Sequence, residues 1–269
     1  MIAVLIVIAC AALLLLFLVA PCPAGKKNKA LFYGRSFAHR GLHTEDKSVP
    51  ENSLAAFARA AERGYGVELD VQLSKDGEVV VFHDDDLKRV CGVEKRVDEL
   101  TLAELKELSL CGTEQSIPLF SEVLPVIKDV PVIVELKNGK RNRELCEKTL
   151  SLLNTHGGEY CIESFNPFIV AYFRFHAPRV FRGQLSQRTE DFKKGGMNGA
   201  ESFILGNLLF NFAARPQFIA YRIGKRPFAA KLARALGALL FGWTPKDPSA
   251  EKDNDAVIFE HYSPEIRFK

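Results

Sequence analysis

The chain has 269 residues, 47% of them hydrophobic and 26% charged, enough apolar material for one large core. A net charge of +3, with no Lys/Arg stripe interleaved with aromatics, excludes a nucleic-acid-binding surface. The six cysteines have no CxxC spacing, which argues against both a zinc ribbon and a disulfide framework.

Met1 to Ala20 carries no charged residue and no polar face, and about 20 apolar residues as a helix span a bilayer core of about 30 Å. No basic stretch precedes it, which fits a cleaved secretory signal poorly. Residues 1–22 are therefore expected to be a transmembrane anchor and 23–35 a basic juxtamembrane linker. Lys26, Lys27, Lys29 and Arg35 follow the anchor. By the positive-inside rule they put the remaining domain, 36–269, in the cytoplasm as part of a single-pass membrane protein. An exported, tethered domain is the alternative.

Phe37 to Gly41 is a short strand ending in a turn. His39 and Arg40 are then either surface residues or ligands at the mouth of a barrel. Ser53 is an N-cap for a helix from Leu54 to about Arg63, closed by Gly64. Val67 to Asp86 reads as a hairpin, with Lys75-Asp76-Gly77 between two apolar runs. If Asp76 and Gly77 are the loop, Asp70 lies opposite His83, and Glu68 shares the face of Asp70. Two carboxylates and an imidazole then converge where a sheet normally carries Val or Leu. Such a patch calls for a cation or a pair of basic partners. The alternative is a surface hairpin with ordinary polar positions.

Thr101 and Glu104 form a capping-box pattern for a helix to about Leu110, and a short helix follows from about Ser121 to Lys128. Val130 to Lys137 is a buried strand with Glu135 and Lys137 on one face. Arg143 to His156 is an amphipathic helix, and Tyr160 to Phe165 a strand. Asn166 and Pro167 start another helix, and Val180 to Leu185 is a strand. Lys193 to Ala200 is a flexible loop, and Ser202 to Ala214 a very apolar helix. Phe218 to Tyr221 is a strand, and Pro227 to about Leu236 a helix. Leu239 to Trp243 and Ala256 to Glu260 are the last strands, joined by a solvated, charged loop, Lys246 to Asp255.

Alternating strands and helices argue for a parallel sheet covered by helices. A three-residue turn cannot supply a parallel crossover, so either the second hairpin arm is antiparallel and extra or the count of nine strands is wrong elsewhere. Taking the arm as extra leaves eight parallel strands, and the expected fold is an α/β, (β/α)8 TIM-type barrel preceded by one N-terminal transmembrane helix. In such barrels active sites sit at the carboxyl ends of the strands. His39, Arg40, Glu68, Asp70, Glu135 and Lys137 all fall there. Three carboxylates without a histidine among them suit Ca2+ or Mg2+ better than zinc. A hard cation and two basic side chains can clamp phosphate oxygens, and two histidines can move protons at neutral pH. This is a set of groups suited to splitting a phosphodiester.

H-R-G at 39–41, P-E-N at 50–52, E-L-D-V at 68–71, K-D-G at 75–77, V-V-V-F-H-D at 79–84, L-T-L-A-E-L at 100–105, I-P-L-F at 117–120, V-E-L-K at 134–137, E-S-F at 163–165 and G-W-T at 242–244 occur in one order. In that order the chain resembles the glycerophosphodiester phosphodiesterase family, from about Phe37 to Trp243. The resemblance implies a barrel enzyme that hydrolyses glycerophosphodiesters to an alcohol and glycerol 3-phosphate. It implies that His39 and His83 act as base and acid, in either assignment. Glu68, Asp70 and Glu135 would hold the divalent metal, Ca2+ or Mg2+. Arg40 and Lys137 would contact phosphate, Glu51 and Asn52 would brace the site, and Trp243 would lie near the glycerol end. It also implies attack by the substrate's own glycerol hydroxyl, through a cyclic phosphate that water then opens.

Two regions depart from the family. Its usual T-D after the last apolar strand is replaced here by Val257-Ile258-Phe259-Glu260, and Lys193 to Tyr221 matches poorly. The anchor and the apolar 202–214 segment keep open a phospholipase C- or lysophospholipase D-like barrel acting on membrane lipid. An inactive tethered binding domain is the remaining alternative, and the presence of every expected catalytic and metal residue speaks against it.

Overall fold

The computed structural model describes residues 1–269. In chain order the first elements are α1 (Ile2–Val19), α2 (Lys26–Phe32), β1 (Arg35–Ala38), α3 (Leu54–Glu62), β2 (Gly66–Leu73) and β3 (Val79–Val81). Next come α4 (Lys88–Cys91), α5 (Leu102–Lys106), α6 (Phe120–Val123), β4 (Val132–Leu136), α7 (Asn142–Thr155) and β5 (Tyr160–Ser164). Then follow α8 (Pro167–His176), β6 (Phe181–Ser186), α9 (Thr189–Lys194), α10 (Gly199–Gly206) and α11 (Asn211–Ala214). The chain closes with β7 (Phe218–Arg222), α12 (Phe228–Ala235), β8 (Leu239–Trp243) and β9 (Ala256–Phe259). The strand order is β1-β9-β8-β7-β6-β5-β4-β2-β3, and β1 also pairs with β2. Every pairing is parallel except β2 with β3. Eight parallel strands thus close a (β/α)8 barrel, and β3 is the extra antiparallel arm.

Strand alternation divides the core. Val67, Leu69 and Val71 point out of the barrel and pack with Phe57 and Ala60 of α3 in the shell under the helices. Inward positions fill the floor with aromatic rings. Phe218 lies 4.4 Å from Phe241 and 5.0 Å from Phe181 by ring centroid. Phe32 of α2 caps this stack at 5.1 Å from Phe181 and is itself buried. Two glycines make room for these rings: a Cβ at Gly183 would stand 2.1 Å from Phe218, and one at Gly66 2.3 Å from Phe37. With the floor packed solid, the only open end is the one at the strand C-termini.

The N-terminal helix α1 is long and apolar enough to cross a membrane, a test that a signal sequence passes as well. Most of it is exposed, but its last turn is built into the barrel. Val19 is fully buried, its carbonyl accepts from Asn211 Nδ2 at 3.2 Å, and Phe17 stacks on Phe212 at 5.6 Å.

Several local expectations are corrected. The hairpin loop has three residues. Ser74 pairs with Glu78, and Leu73 faces Val79. Ser74 Oγ accepts from Glu78 N–H, and Gly77 takes φ +87°, which completes a three-residue turn with a left-handed glycine. The register therefore slips by one, and Phe82, not His83, lies opposite Asp70, donating its N–H to the Asp70 carbonyl. The expected 202–214 helix is two pieces, α10 and α11, broken at Leu208, where φ is +58°. Much of the expected 193–200 loop is the end of α9 and the start of α10. The 246–255 segment ends buried: Asp255 accepts from Leu240 N–H at 2.8 Å and pairs with Arg234 at 2.6 Å.

Candidate active site

Parallel register lines up the acidic residues. Asp70 on β2 is level with Glu135 on β4, and Glu135 with Glu163 on β5. Glu68 precedes Asp70 by one inward step. All four are nearly inaccessible. Oxygens of Glu68, Asp70 and Glu135 all lie within 4.8 Å of one another. Lys137, just past the end of β4, bends its Nζ back to Glu135 at 2.9 Å and Asp70 at 3.3 Å. Burial raises the Glu68 carboxyl well above its ordinary value, and Asp70 and Glu135 add to the shift. Burial, then Glu135 and Asp70, do the same to Glu163. Burial also raises Glu135, against the pull of Lys137. Burial would raise Asp70 too, but Lys137, His83 and Arg40 hold it below the usual carboxylate range.

The loop after β1 supplies the next groups. Arg40 and Asn52 adopt left-handed backbone at φ +56° and +53°, which turns both toward the carboxylates. Arg40 donates its backbone N–H to Glu68 Oε2 at 2.9 Å and its Nη1 to Glu51 Oε1 at 2.6 Å. Its buried Nε has no hydrogen-bond partner and stands 3.7 Å from Asp70. Asn52 donates to Asp70 Oδ2 at 2.9 Å. Glu51 is also gripped by Arg89 through two hydrogen bonds, 2.7 and 2.8 Å long. Burial would raise Glu51, yet Arg89 and Arg40 lower it to about 2.

Two imidazoles reach the same cleft of about 490 Å³. His39 Nδ1 lies 3.4 Å from Glu260 Oε1, and its Nε2 4.0 Å from Glu68. Burial pushes His39 down to about 4, against the opposing hydrogen bond to Glu260. His83 comes from the connection after β3. The Gln72 amide holds the Phe82 and Asp84 carbonyls at 2.9 and 2.8 Å, so the strand ends and His83 turns into the cleft. Its Nδ1 is 2.6 Å from Asp84, which Arg89 holds from the other side at 2.6 Å. Trp243 donates its Nε1–H to the Ser186 carbonyl at 3.1 Å and packs edge-on against Phe165 at 5.8 Å, forming an aromatic wall.

The fold therefore gathers His39, Arg40, Glu68, His83, Glu135, Lys137 and Trp243 around one cleft. Asp70, Asn52 and Glu51 lie directly behind them. Four further residues join without having been singled out as site residues: Glu260, Glu163, Asp84 and Arg89. Glu163 stood within the E-S-F motif, and its position on β5 level with Glu135 was the available signal. Glu260 stood at the departure from T-D, where an acidic residue at a strand end was legible. Arg89 belongs to a short helix with no sequence motif.

The donor set fits a hard divalent cation. Four buried carboxylates face the permanent cations Arg40 and Lys137, leaving two formal negative charges. Glu163 Oε2 is buried without a hydrogen-bond partner. Glu68, Asp70 and Glu135 offer converging oxygens and no nitrogen.

A closed parallel barrel with carboxylates, basic side chains and imidazoles at its C-terminal mouth places its candidate site where (β/α)8 barrels carry theirs. Within that barrel class, residues 39–262 match the glycerophosphoryl diester phosphodiesterase family, and the chain belongs to it. It is 38% identical over 163 residues to a glycerophosphodiester phosphodiesterase of Caldanaerobacter subterraneus, covering 56% of this chain and 65% of that one. It is 33% identical over 159 residues to a lysophospholipase D of Rattus norvegicus, covering 54% of this chain and 49% of the relative. The chain thus spans half to two thirds of the length of these relatives. A phosphodiesterase of Oleispira antarctica, solved with its product sn-glycerol-3-phosphate, is 25% identical and superposes with a TM-score of 0.69. That match covers 84% of this chain and 93% of that structure. A glycerophosphodiester phosphodiesterase of Thermotoga maritima is 27% identical with a TM-score of 0.63, covering 83% and 93%.

Proposed function

We propose that this chain is a metal-dependent phosphodiesterase that hydrolyses glycerophosphodiesters to an alcohol and glycerol 3-phosphate. The observation that carries the proposal is the Glu68–Asp70–Glu135 cluster beside His39, His83, Arg40 and Lys137 in one cleft. Membership of the family supports it, as does the glycerol-3-phosphate complex of the Oleispira antarctica enzyme. Glu68, Asp70 and Glu135 would hold the cation, and their all-oxygen donors suit Mg2+ or Ca2+. When bound it would supply positive charge to offset the negative charge that builds on the phosphoryl oxygens.

The side chains do the rest. Arg40 and Lys137, which both line the cleft, bind the phosphate. Glu51 and Asn52 fix Arg40 and Asp70, and Trp243 forms the wall against which the glycerol rests. His39, neutral by burial and oriented by Glu260, takes the proton of the glycerol hydroxyl as its oxygen bonds to phosphorus. His83, its ring oriented by Asp84 at Nδ1, gives a proton to the departing alcohol oxygen as the old P–O bond breaks. In the second step water attacks the cyclic phosphate. His83 then takes a proton from water, and His39 returns its proton to the glycerol oxygen. The test is glycerol 3-phosphate release by the full chain in detergent micelles, from glycerophosphocholine and glycerophosphoethanolamine. Release is expected with Mg2+ or Ca2+ and is lost in EDTA. No release from either substrate contradicts the proposal.

A second substrate, a single-chain lysophospholipid, is favoured by one observation. An apolar cleft of about 430 Å³, lined by Phe165, Phe168, Met197, Ile204, Leu205 and Phe210, shares Phe165 with the catalytic cleft. Ring contacts Phe168–Phe210, Phe210–Phe212 and Phe212–Phe17 continue from it to α1, at 5.2, 5.0 and 5.6 Å. An acyl chain lying there joins a membrane anchor to the catalytic cleft. The lysophospholipase D name of the rat relative agrees with this use. Phe168→Ser should then raise KM for lysophosphatidylcholine and leave glycerophosphocholine turnover unchanged. Equal effects on both substrates would remove this reading. In this proposal α1 is an anchor, the basic 23–35 segment follows it with α2 packed under the barrel floor and Arg35 opening β1, and the catalytic domain faces the cytoplasm. The basic Lys26, Lys27 and Lys29 after α1 support that side.

A further inference from the structure

Glu260 carries more imidazoles than the proposed reaction uses. Besides His39, its Oε1 has His43 Nε2 at 3.4 Å and His261 Nε2 at 3.7 Å. His43 comes from the loop after β1. His261 directly follows Glu260, and its φ of +60° folds the ring back over that carboxylate. The two rings meet edge to face at 85°, with centroids 5.1 Å apart. One ligand atom from each of His43, Glu260 and His261 lies within 4.8 Å of the other two. His43 is half-buried, and His261 is an exposed residue whose side chain is 18% accessible. Glu45, on an exposed side chain, lies 3.8 Å from His261 Nδ1.

The 3.4 and 3.7 Å from Glu260 Oε1 to the two Nε2 atoms are close to the edge of a tetrahedron, since ligands about 2.1 Å from one ion sit about 3.4 Å apart. The donors are two nitrogens and one oxygen. That set selects zinc-class cations, whereas the all-oxygen set at Glu68, Asp70 and Glu135 selects Mg2+ or Ca2+.

We propose that His43, Glu260 and His261 form a second metal site, specific for zinc-class cations, whose occupation slows the enzyme. Binding requires only these three side chains. The slowing rests on the reaction proposed above, because a cation on Glu260 Oε1 takes the oxygen that orients His39 Nδ1. His39 then loses the partner that holds its ring toward the substrate.

The test uses the full chain in detergent micelles with Mg2+ in excess. Zinc binding is followed by calorimetry, Co2+ binding by its visible absorption, and turnover of glycerophosphocholine is measured in parallel. Wild type should take one zinc that Mg2+ does not displace, give the intense Co2+ bands of a tetrahedral site, and lose turnover. His43→Gln and His261→Gln should each weaken that binding by about tenfold or more. Without zinc their turnover should stay within about twofold of wild type. Two outcomes overturn the site: zinc that Mg2+ displaces completely, or zinc binding unchanged in both variants, as cysteine ligation would give. Zinc bound through His43 and His261 without slowing overturns the control through His39. A protein with no turnover at all contradicts the proposed reaction and leaves the binding result to judge the site by itself.

Discussion

His39 and Glu260 are the residues that follow the last paired positions of adjacent strands, Ala38 on β1 and Phe259 on β9, and they meet at 3.4 Å between Nδ1 and Oε1. The closure of the barrel therefore sets the orientation of the proposed base. Glu260→Gln keeps an acceptor and removes the charge. We expect kcat to fall by about 10- to 100-fold with little change in KM, measured by steady-state kinetics. Unchanged kcat contradicts the positioning role.

The same contact shapes the pH profile. His39 must be neutral to accept a proton, and burial lowers it from 6.5 to about 4. A lowered value leaves less of the ring protonated at any given pH. The acid limb of kcat/KM should therefore fall well below 6.5. Glu260 raises His39 through its hydrogen bond and its charge, so Glu260→Gln should move that limb lower still. A limb that moves upward has the wrong sign for this arrangement.

Replacing either imidazole removes a proton carrier. His39→Asn and His83→Asn should each lower kcat by about 10²- to 10⁴-fold, with circular dichroism unchanged. Full turnover in both variants would falsify the two-histidine reaction.

The carboxylate cluster predicts a stability effect that depends on metal. Glu68 is buried against Asp70, Glu135 and Glu163, all of which disfavour its charge. In EDTA, Glu68→Gln should melt no lower than wild type, because it removes a crowded carboxylate. On adding Mg2+ or Ca2+, wild type should rise in Tm and the variant should gain much less. Equal gains in both proteins would take Glu68 out of the metal site.

Phe32 precedes β1 yet packs against Phe37, Phe181 and Phe241 at the barrel floor. Phe32→Ala should cost about 3 kcal/mol, read as a lower urea midpoint with the slope unchanged. A change within error would mean that α2 is dispensable to the barrel.

What was legible in the sequence follows from how local each signal is. Strand and helix positions came from periodicity, and the nine strands, with β3 as the odd arm, follow from it. The hairpin register did not, because a Ser74 side chain that binds the Glu78 N–H converts a two-residue loop into three. His83 still reaches the cleft, through Gln72 pinning the chain beyond β3. Those contacts come from a side chain 10 and 12 positions away and leave no local pattern. The carboxylates Glu68, Asp70 and Glu135 were legible because charges on inward strand positions break an apolar pattern. Glu163 had the same signal, and only its level beside Glu135 distinguishes it from a polar strand end. Arg89, on α4, and the meeting of His43 and His261 at Glu260 depend on segments that come together only in the folded chain. The break at Leu208 was hidden because an apolar run reads the same whether it is one helix or two.

The most direct measurement is a 31P NMR time course of glycerophosphocholine with the full chain in detergent micelles and Mg2+ or Ca2+. The account predicts conversion to glycerol 3-phosphate through a transient cyclic phosphate, stopping on EDTA and resuming when metal is restored. Phosphocholine as product, or turnover that continues at the same rate in EDTA, would contradict it.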